Sequence, residues 1–295
     1  MGSFTFKKWN TILGWFVFSI ALVTYWSTVE PTASFWDAGE YITTASNLEV
    51  GHPPGAPLYQ LMGAFFSIFA MEATNIALTI NLMSVFASAF TILFMFWSVT
   101  ILLSNLVKKN DTFTKNNQIA ILGSAVVASL TFAFTDSFWY SAVEAEVYAM
   151  AAFIMSVLFY AGLRWEGEMF TPRGDKWVVL IAFVIGLSFG VHFMGLLTIP
   201  AIGFLYFFKN YNKVTVKNFL IANVVTVAIL LFIFKLLLPM TLRFFSAAEI
   251  FFVNQINMPF NSGTIIAGLL FLKQTARLLA RLTFRHFELI SSALF

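Results

Sequence analysis

Residues 35–59 read FWDAGEYITTASNLEVGHPPGAPLY and hold Asp37, Glu40, Glu49 and His52. Asp37 and Glu40 are three apart, so on a helix they share one face. Carboxylates that close repel, and the pair could take a proton or hold a divalent cation. The same spacing fits an N-terminal capping box with an acid at the cap, which is the structural alternative. His52 precedes Pro53 and Pro54, and a residue before proline is pushed into extended backbone. "GHPPGAP" is therefore expected to be a stiff turn fixing His52 between two helices, on the same side as the two acids.

Two further stretches carry candidates. "DSFWYSAVEAEVYAM" holds Glu144 and Glu146. On a helix, residues two apart face about 160° apart, so both acids could not serve one site. Glu146, with Tyr148, is the candidate substrate contact, and a helix end at the membrane interface is its alternative. "GLSFGVHFMGLL" places His192 between two short apolar runs, with Gly186, Gly190 and Gly195 allowing close helix approach. An ionisable side chain near membrane depth is a functional candidate by default. A histidine bonded to a neighbouring helix is its alternative. Trp36, Trp139, Tyr140 and Tyr148 suit an interfacial aromatic belt.

These residues must be positioned by membrane helices. The 295 residues are 59% hydrophobic and 11% charged, whereas soluble domains carry roughly 25% charged residues. Without cysteine, disulfides, thiolate metal sites and cysteine nucleophiles are excluded. The run from Trp9 to about Val29 exceeds a signal-peptide core of ~7–15 residues and reads as an uncleaved span. Further runs cover 76–104, 118–135, 147–163, 177–191, 195–208, 218–239 and, weakly, 262–272, giving an all-α bundle of seven or eight spans. The 58–71 run is too short and reads as a surface helix.

With the N-terminus in the cytoplasm, every one of the 17 lysines and arginines except Lys235 and Arg243 falls on the inner side. Making 58–71 a span, or 177–208 one helix, breaks that separation. Nine of the 14 acids fall on the outer side. Acids contribute little to topology, so their clustering points to an outer site. The basic stretches are inner loops, which leaves a nucleic-acid partner without support.

The string "WDAGEY…GHPPGAPLY", with "GLSFGVHFMGLLTIP" further on, resembles the protein O-mannosyltransferases of the GT-C glycosyltransferase superfamily. It is closer to one branch of bacterial and animal membrane proteins, and the resemblance covers about residues 9–265. It implies a GT-C-like transmembrane domain over 1–272, with a catalytic first outer loop at 30–75. It also implies a polyprenyl- or dolichyl-phosphate-linked mannose donor, a Ser or Thr acceptor on an exported protein, and a bacterial inner membrane with the site on its periplasmic face. Asp37 matches the catalytic acid of the first outer loop; Glu40 and His52 are carried over beside it.

Such a transfer needs a base for the hydroxyl proton and a positive group for the departing phosphate. Asp37 is the expected base. Glu40 would orient it, raise its pKa or join it around a divalent cation. Arg243 can fork onto a phosphate and is the leading phosphate partner, with a snorkelling arginine as its alternative. Lys235, His52 and His192 follow. Relatives usually continue further, so the tail at 273–295 is expected to be altered or truncated. The competing readings are a polytopic transporter or lipid flippase, with a midplane site between short helices, and a non-catalytic membrane subunit.

Overall fold

A computed structural model describes residues 5–110, 113–211, 213–275 and 277. The described residues form helices and connecting turns, with no strand. Six helical stretches are long and apolar enough to cross a membrane: Phe6–Ser27, Ala73–Val107, Lys115–Ala133, Val147–Glu168, Phe193–Asn210 and Val216–Gln255. The chain is thus a multi-span helical membrane protein. It divides into two compact units, Met1–Asn223 and Val224–Phe295.

The first unit is built around α4 (Ile76–Asn110), which packs against α1 (Phe6–Ser27), α3 (Pro57–Ser67), α5 (Lys115–Ala133) and α7 (Val147–Glu168). The buried face of α4 carries Asn81, Ser84, Ser88, Thr91 and Ser98. Small side chains at helical spacing let neighbouring backbones come close where lipid offers no hydrophobic drive for association. One apolar cluster joins α4 to α7, α3 and α2 (Ala38–Asn47), through Ile80, Tyr59, Ile42 and Leu158. The other joins it to α1, α5 and α6 (Asp136–Ala142), through Val17, Phe96, Leu122 and Phe138.

Helix ends gather by charge. At one end Phe6 meets Phe113 edge-on at 5.2 Å, Lys209 pairs with Glu166 at 2.7 Å, and Arg164 lies 5.2 Å over the Trp177 ring. Lys115, Arg173 and Lys176 belong to helix starts at this same end. The other end is stitched by polar bonds. Tyr25 donates to the Ala133 carbonyl at 2.8 Å, Glu30 N–H to the Val143 carbonyl at 3.0 Å, and Trp139 Nε1 to Thr28 Oγ1 at 2.9 Å. The 22 residues of α7 separate the two ends by about 33 Å, at ~1.5 Å per residue.

The run at 58–71 becomes α3, of only 11 residues, and does not reach spanning length. The stretch 177–208 is broken, with α8 (Gly174–Ser188), turns, a tight 3-10 segment at Phe193–Leu197 and then α9 (Thr198–Asn210). α8 has 15 residues, about 22 Å of helix at ~1.5 Å per residue. It therefore falls short of a full crossing by itself, and among the described residues six stretches reach that length.

The second unit takes up the long helix that begins with α10 (Val216–Phe232) and continues through wide-turn segments and α11 (Leu238–Ile250) to Gln255. A helix over 262–275 follows. Glu249 ties the turn between them, accepting from Asn261 N–H at 2.6 Å, Thr264 N–H at 2.8 Å and Thr264 Oγ1 at 3.0 Å. The side chains of Lys108 and Lys109, and most of the tail at 273–295, lie outside the described residues.

Because the chain has no native cysteine, single cysteines report sidedness cleanly. A cysteine at exposed Glu49 and one at exposed Lys176 should react with an impermeant maleimide from opposite faces of sealed vesicles. Labelling of both from the same face would refute the two-ended arrangement.

Candidate active site

The segment before α2 is held from below and behind. Asn81, buried on α4, donates through Nδ2 to the carbonyls of Glu30 at 2.7 Å and Thr32 at 2.9 Å. Ser34 Oγ donates to Glu144 at 2.6 Å. The Glu146 carboxyl accepts the backbone N–H groups of Asp37 and Val147. Trp36, with φ 61°, takes the left-handed conformation that costs a bulky residue energy, and it stands 87% exposed. Three tethers thus fix a sharp bend that presents Asp37.

Asp37 sits at the N-cap of α2 without a side-chain cap bond, and it is exposed. Glu40 does not reach back to the cap either. It accepts from His52 N–H at 2.6 Å and pairs with His52 Nδ1 at 3.1 Å. The capping-box alternative is therefore not realised, and neither carboxylate closes the helix end. The His52 backbone N–H, then its ring, hold the Glu40 carboxyl below its ordinary pKa. The hydrogen bond that the protonated ring donates to Glu40, then the Glu40 charge, raise His52 above the ordinary imidazole range. The charged pair therefore exists from the lowered Glu40 pKa up to the raised His52 pKa, and dissolves on either side.

The turn after His52 abuts the α8–α9 break. The Gly190 carbonyl accepts from Leu58 N–H at 2.7 Å and Tyr59 N–H at 3.1 Å, satisfying the first amides of α3. A Cβ on Gly190 would stand 2.7 Å from Leu58 Cβ, so only glycine permits that approach. Gly195 is similarly crowded by Ser188, whereas a Cβ on Gly186 meets nothing within 4 Å and that residue makes no close packing. His192 Nδ1 accepts from Met194 N–H at 3.2 Å. An amide can only donate, so the neutral ring carries its proton on Nε2. Burial lowers its pKa and favours that neutral form. A cleft of about 30 Å³ separates His52 from His192, walled by Tyr41, Phe189 and Phe193. It is wide enough for roughly one water.

Glu144 and Glu146 lie in irregular backbone between α6 and α7, not on a helix. The helical geometry under which they would face apart does not apply: the stretch turns through a bond from Glu146 N–H to the Glu144 carbonyl at 2.9 Å, and both acids are buried, at 4% and 6% exposure. Burial raises Glu144 despite bonds from Ser34 and Tyr140. Burial, then the charges of Glu144 and Asp37, push Glu146 up to about 7. Tyr148 packs beside the His192 ring at 5.6 Å.

Asp37, Glu40 and His52 each offer one ligand atom, and these atoms lie within 4.8 Å of one another. That oxygen–oxygen–nitrogen set suits a divalent cation, which would replace the Glu40–His52 hydrogen bond. Arg243 is exposed on α11, in the second unit. Two residues with clear roles escaped the sequence reading. Asn81 was visible as an amide inside an apolar run. Tyr41, four residues after Asp37, packs at 5.9 Å from the His52 ring. Burial, then the charges of Glu146, Asp37 and Glu40, push its phenol up to about 12.

A multi-span helical membrane protein with an exposed acid–histidine cluster at one end is the class that this architecture defines. The profile of the Protein O-mannosyl-transferase TMEM260 N-terminal domain matches residues 37–215, and the chain belongs to that family. It is similar to the protein O-mannosyl-transferase tmem260 of Dictyostelium discoideum, 23% identical over 209 residues, covering 67% of this chain and 23% of that protein. It is also similar to protein O-mannosyl-transferase TMEM260 of Mus musculus, 26% identical over 172 residues, covering 58% of this chain and 22% of that one. The matched region thus spans less than a quarter of these curated relatives. No solved structure matches the chain.

An acid whose pKa is raised by folding weakens the fold as it ionises. Stability should therefore fall between the ordinary carboxylate range and about pH 7 on account of Glu146, then level off. Glu146→Gln should remove that fall, so that it melts higher than wild type at pH 8 but not at pH 4.5 in detergent. Equal pH dependence in the two proteins would contradict the assignment. Separately, Glu40→Gln should lower the His52 pKa followed by ring NMR, and an unmoved titration would mean the pair does not form.

Proposed function

We propose that the chain transfers mannose from a polyprenyl- or dolichyl-phosphate donor to a Ser or Thr hydroxyl of an exported protein, on a GT-C-like bundle. The acidic end would face away from the cytoplasm, as the lysine and arginine asymmetry favours. The observation that carries this reading is Asp37. Its carboxylate is exposed on a bend held by three tethers, makes no cap bond, and has the Glu40–His52 pair beside it.

In this reading the acceptor oxygen attacks C1 of the sugar while Asp37 takes its proton. The C1–O bond to phosphate breaks, and the phosphate departs with the electron pair. Glu40 keeps His52 protonated, so His52 can donate to the leaving oxygen. The neutral Nε2–H of His192 is a second donor across the cleft. Glu146 positions the bend through the Asp37 amide, which revises its sequence-based role as a direct substrate contact. Arg243 remains a candidate phosphate partner on its chemistry alone. A divalent cation held by Asp37, Glu40 and a neutral His52 would instead supply charge neutralisation at the phosphate, in place of the His52 proton.

The test is transfer by the purified protein from polyprenyl-phosphate-mannose to a Ser/Thr peptide. Asp37→Asn should cost about 10²–10⁴ in kcat, the usual contribution of a positioned base. Its melting temperature should hold, because no cap bond is lost and asparagine also suits that position. Full transfer by a well-folded Asp37→Asn protein would remove Asp37 from this role.

A further inference from the structure

The end of the first unit remote from Asp37 contains a second, differently built cleft. It has a volume of about 340 Å³ and lies between the start of α1 and the ends of α4 and α7, within the ~300–1,000 Å³ typical of small-ligand sites. Arg164 stands in its wall. Nη1 donates to the Tyr160 hydroxyl at 3.2 Å, and Nη2 to Glu168 at 3.0 Å. The guanidinium lies 5.2 Å over the Trp177 ring, and Trp177 Nε1 in turn donates to Glu168 at 3.2 Å. Those two bonds leave further N–H donors of a guanidinium free. The arginine is thus held in place while retaining donors.

The remaining wall is mixed. Asn10, Thr100, Ser104 and Asn105 contribute polar groups, Phe6, Ile101 and Leu163 apolar ones, and the Glu168 carboxylate paired with Arg164 also lines it. Asn10 Oδ1 and Ser104 Oγ have no hydrogen-bond partner among the described residues. The cleft lies at the basic end, one α7 length from Glu146, a separation comparable to the ~30 Å hydrocarbon core. That puts it at headgroup depth on the opposite interface.

We infer that this cleft binds the phosphodiester headgroup of a membrane phospholipid, with Arg164 forked onto the phosphate. Hydroxyl or ammonium groups of the headgroup meet Asn10, Asn105 and Ser104, and the glycerol end lies along Phe6, Ile101 and Leu163. A free phosphate shares the arginine chemistry but has no use for the apolar wall.

Gly167 lines the cleft, and a Cβ added there meets nothing within 4 Å. Gly167→Leu should therefore fill the cleft without disturbing the fold. The full chain in detergent would be titrated with phosphatidylglycerol and read by native mass spectrometry. Wild type should hold one lipid specifically, and Gly167→Leu should bind it at least about tenfold more weakly, as expected when charge-assisted bonds are lost. Arg164→Lys, which keeps a cation beside Glu168 but not the fork, should also weaken it. Unchanged lipid binding in a monodisperse Gly167→Leu protein would overturn the site. Displacement of the lipid by millimolar inorganic phosphate would overturn the phospholipid assignment in favour of a free anion.

Discussion

The acidic end of the molecule hangs from one side chain. Asn81 is 1% exposed, and its amide holds two carbonyls of the loop that leads to Asp37. Away from water, an unpaired backbone carbonyl is costly, so these two bonds do more than they would on a soluble surface. They also convert rigidity in α4 into rigidity at the site. α4 is fixed by close packing of its small polar face against α1, α5 and α7. The loop inherits that fixity one turn from the helix start, and Ser34, Asp37 and the exposed Trp36 bend follow from it.

Burial then sorts the carboxyl groups by task. Glu144 and Glu146 are enclosed, bonded to the loop and raised in pKa. Glu40, in contrast, is lowered by a histidine it holds twice. Acids within one small region are thus divided into buried groups that shape the backbone and groups left near the surface. The opposite end uses charge differently. Arg164 and Lys209 pair with Glu168 and Glu166 along and between helices, which orients the cations instead of exposing them to one another.

Much of this was legible in the sequence where composition and length decide. The short 58–71 run and the interruption near His192 followed from bilayer thickness and charge sidedness, and both appear as α3 and as the α8–α9 break. Motif positions also converged, since His52 and His192, distant in the chain, face one cleft. What failed was local backbone. The sequence states only what Glu144 and Glu146 would do on a helix; tethers from Ser34 and Asp37 hold that stretch irregular, and no local propensity encodes those partners. The capping box failed for a similar reason, because a distant histidine outcompeted the nearby cap for Glu40. The roles of Asn81 and Tyr41 depend on tertiary neighbours that periodicity does not reveal.

The Gly190 carbonyl bonded to the first amides of α3 also sets an order of events. A nascent chain exposes the Asp37 and His52 segments early, long before residue 190 leaves the ribosome. Until then the α3 amides lack that acceptor, and the His52 side of the cleft has no opposite wall. Closure of the cleft beside the acid–histidine cluster is therefore a late step of membrane insertion. A chain arrested between α7 and α8 would carry Asp37, Glu40, Glu144 and Glu146 and still lack a closed site.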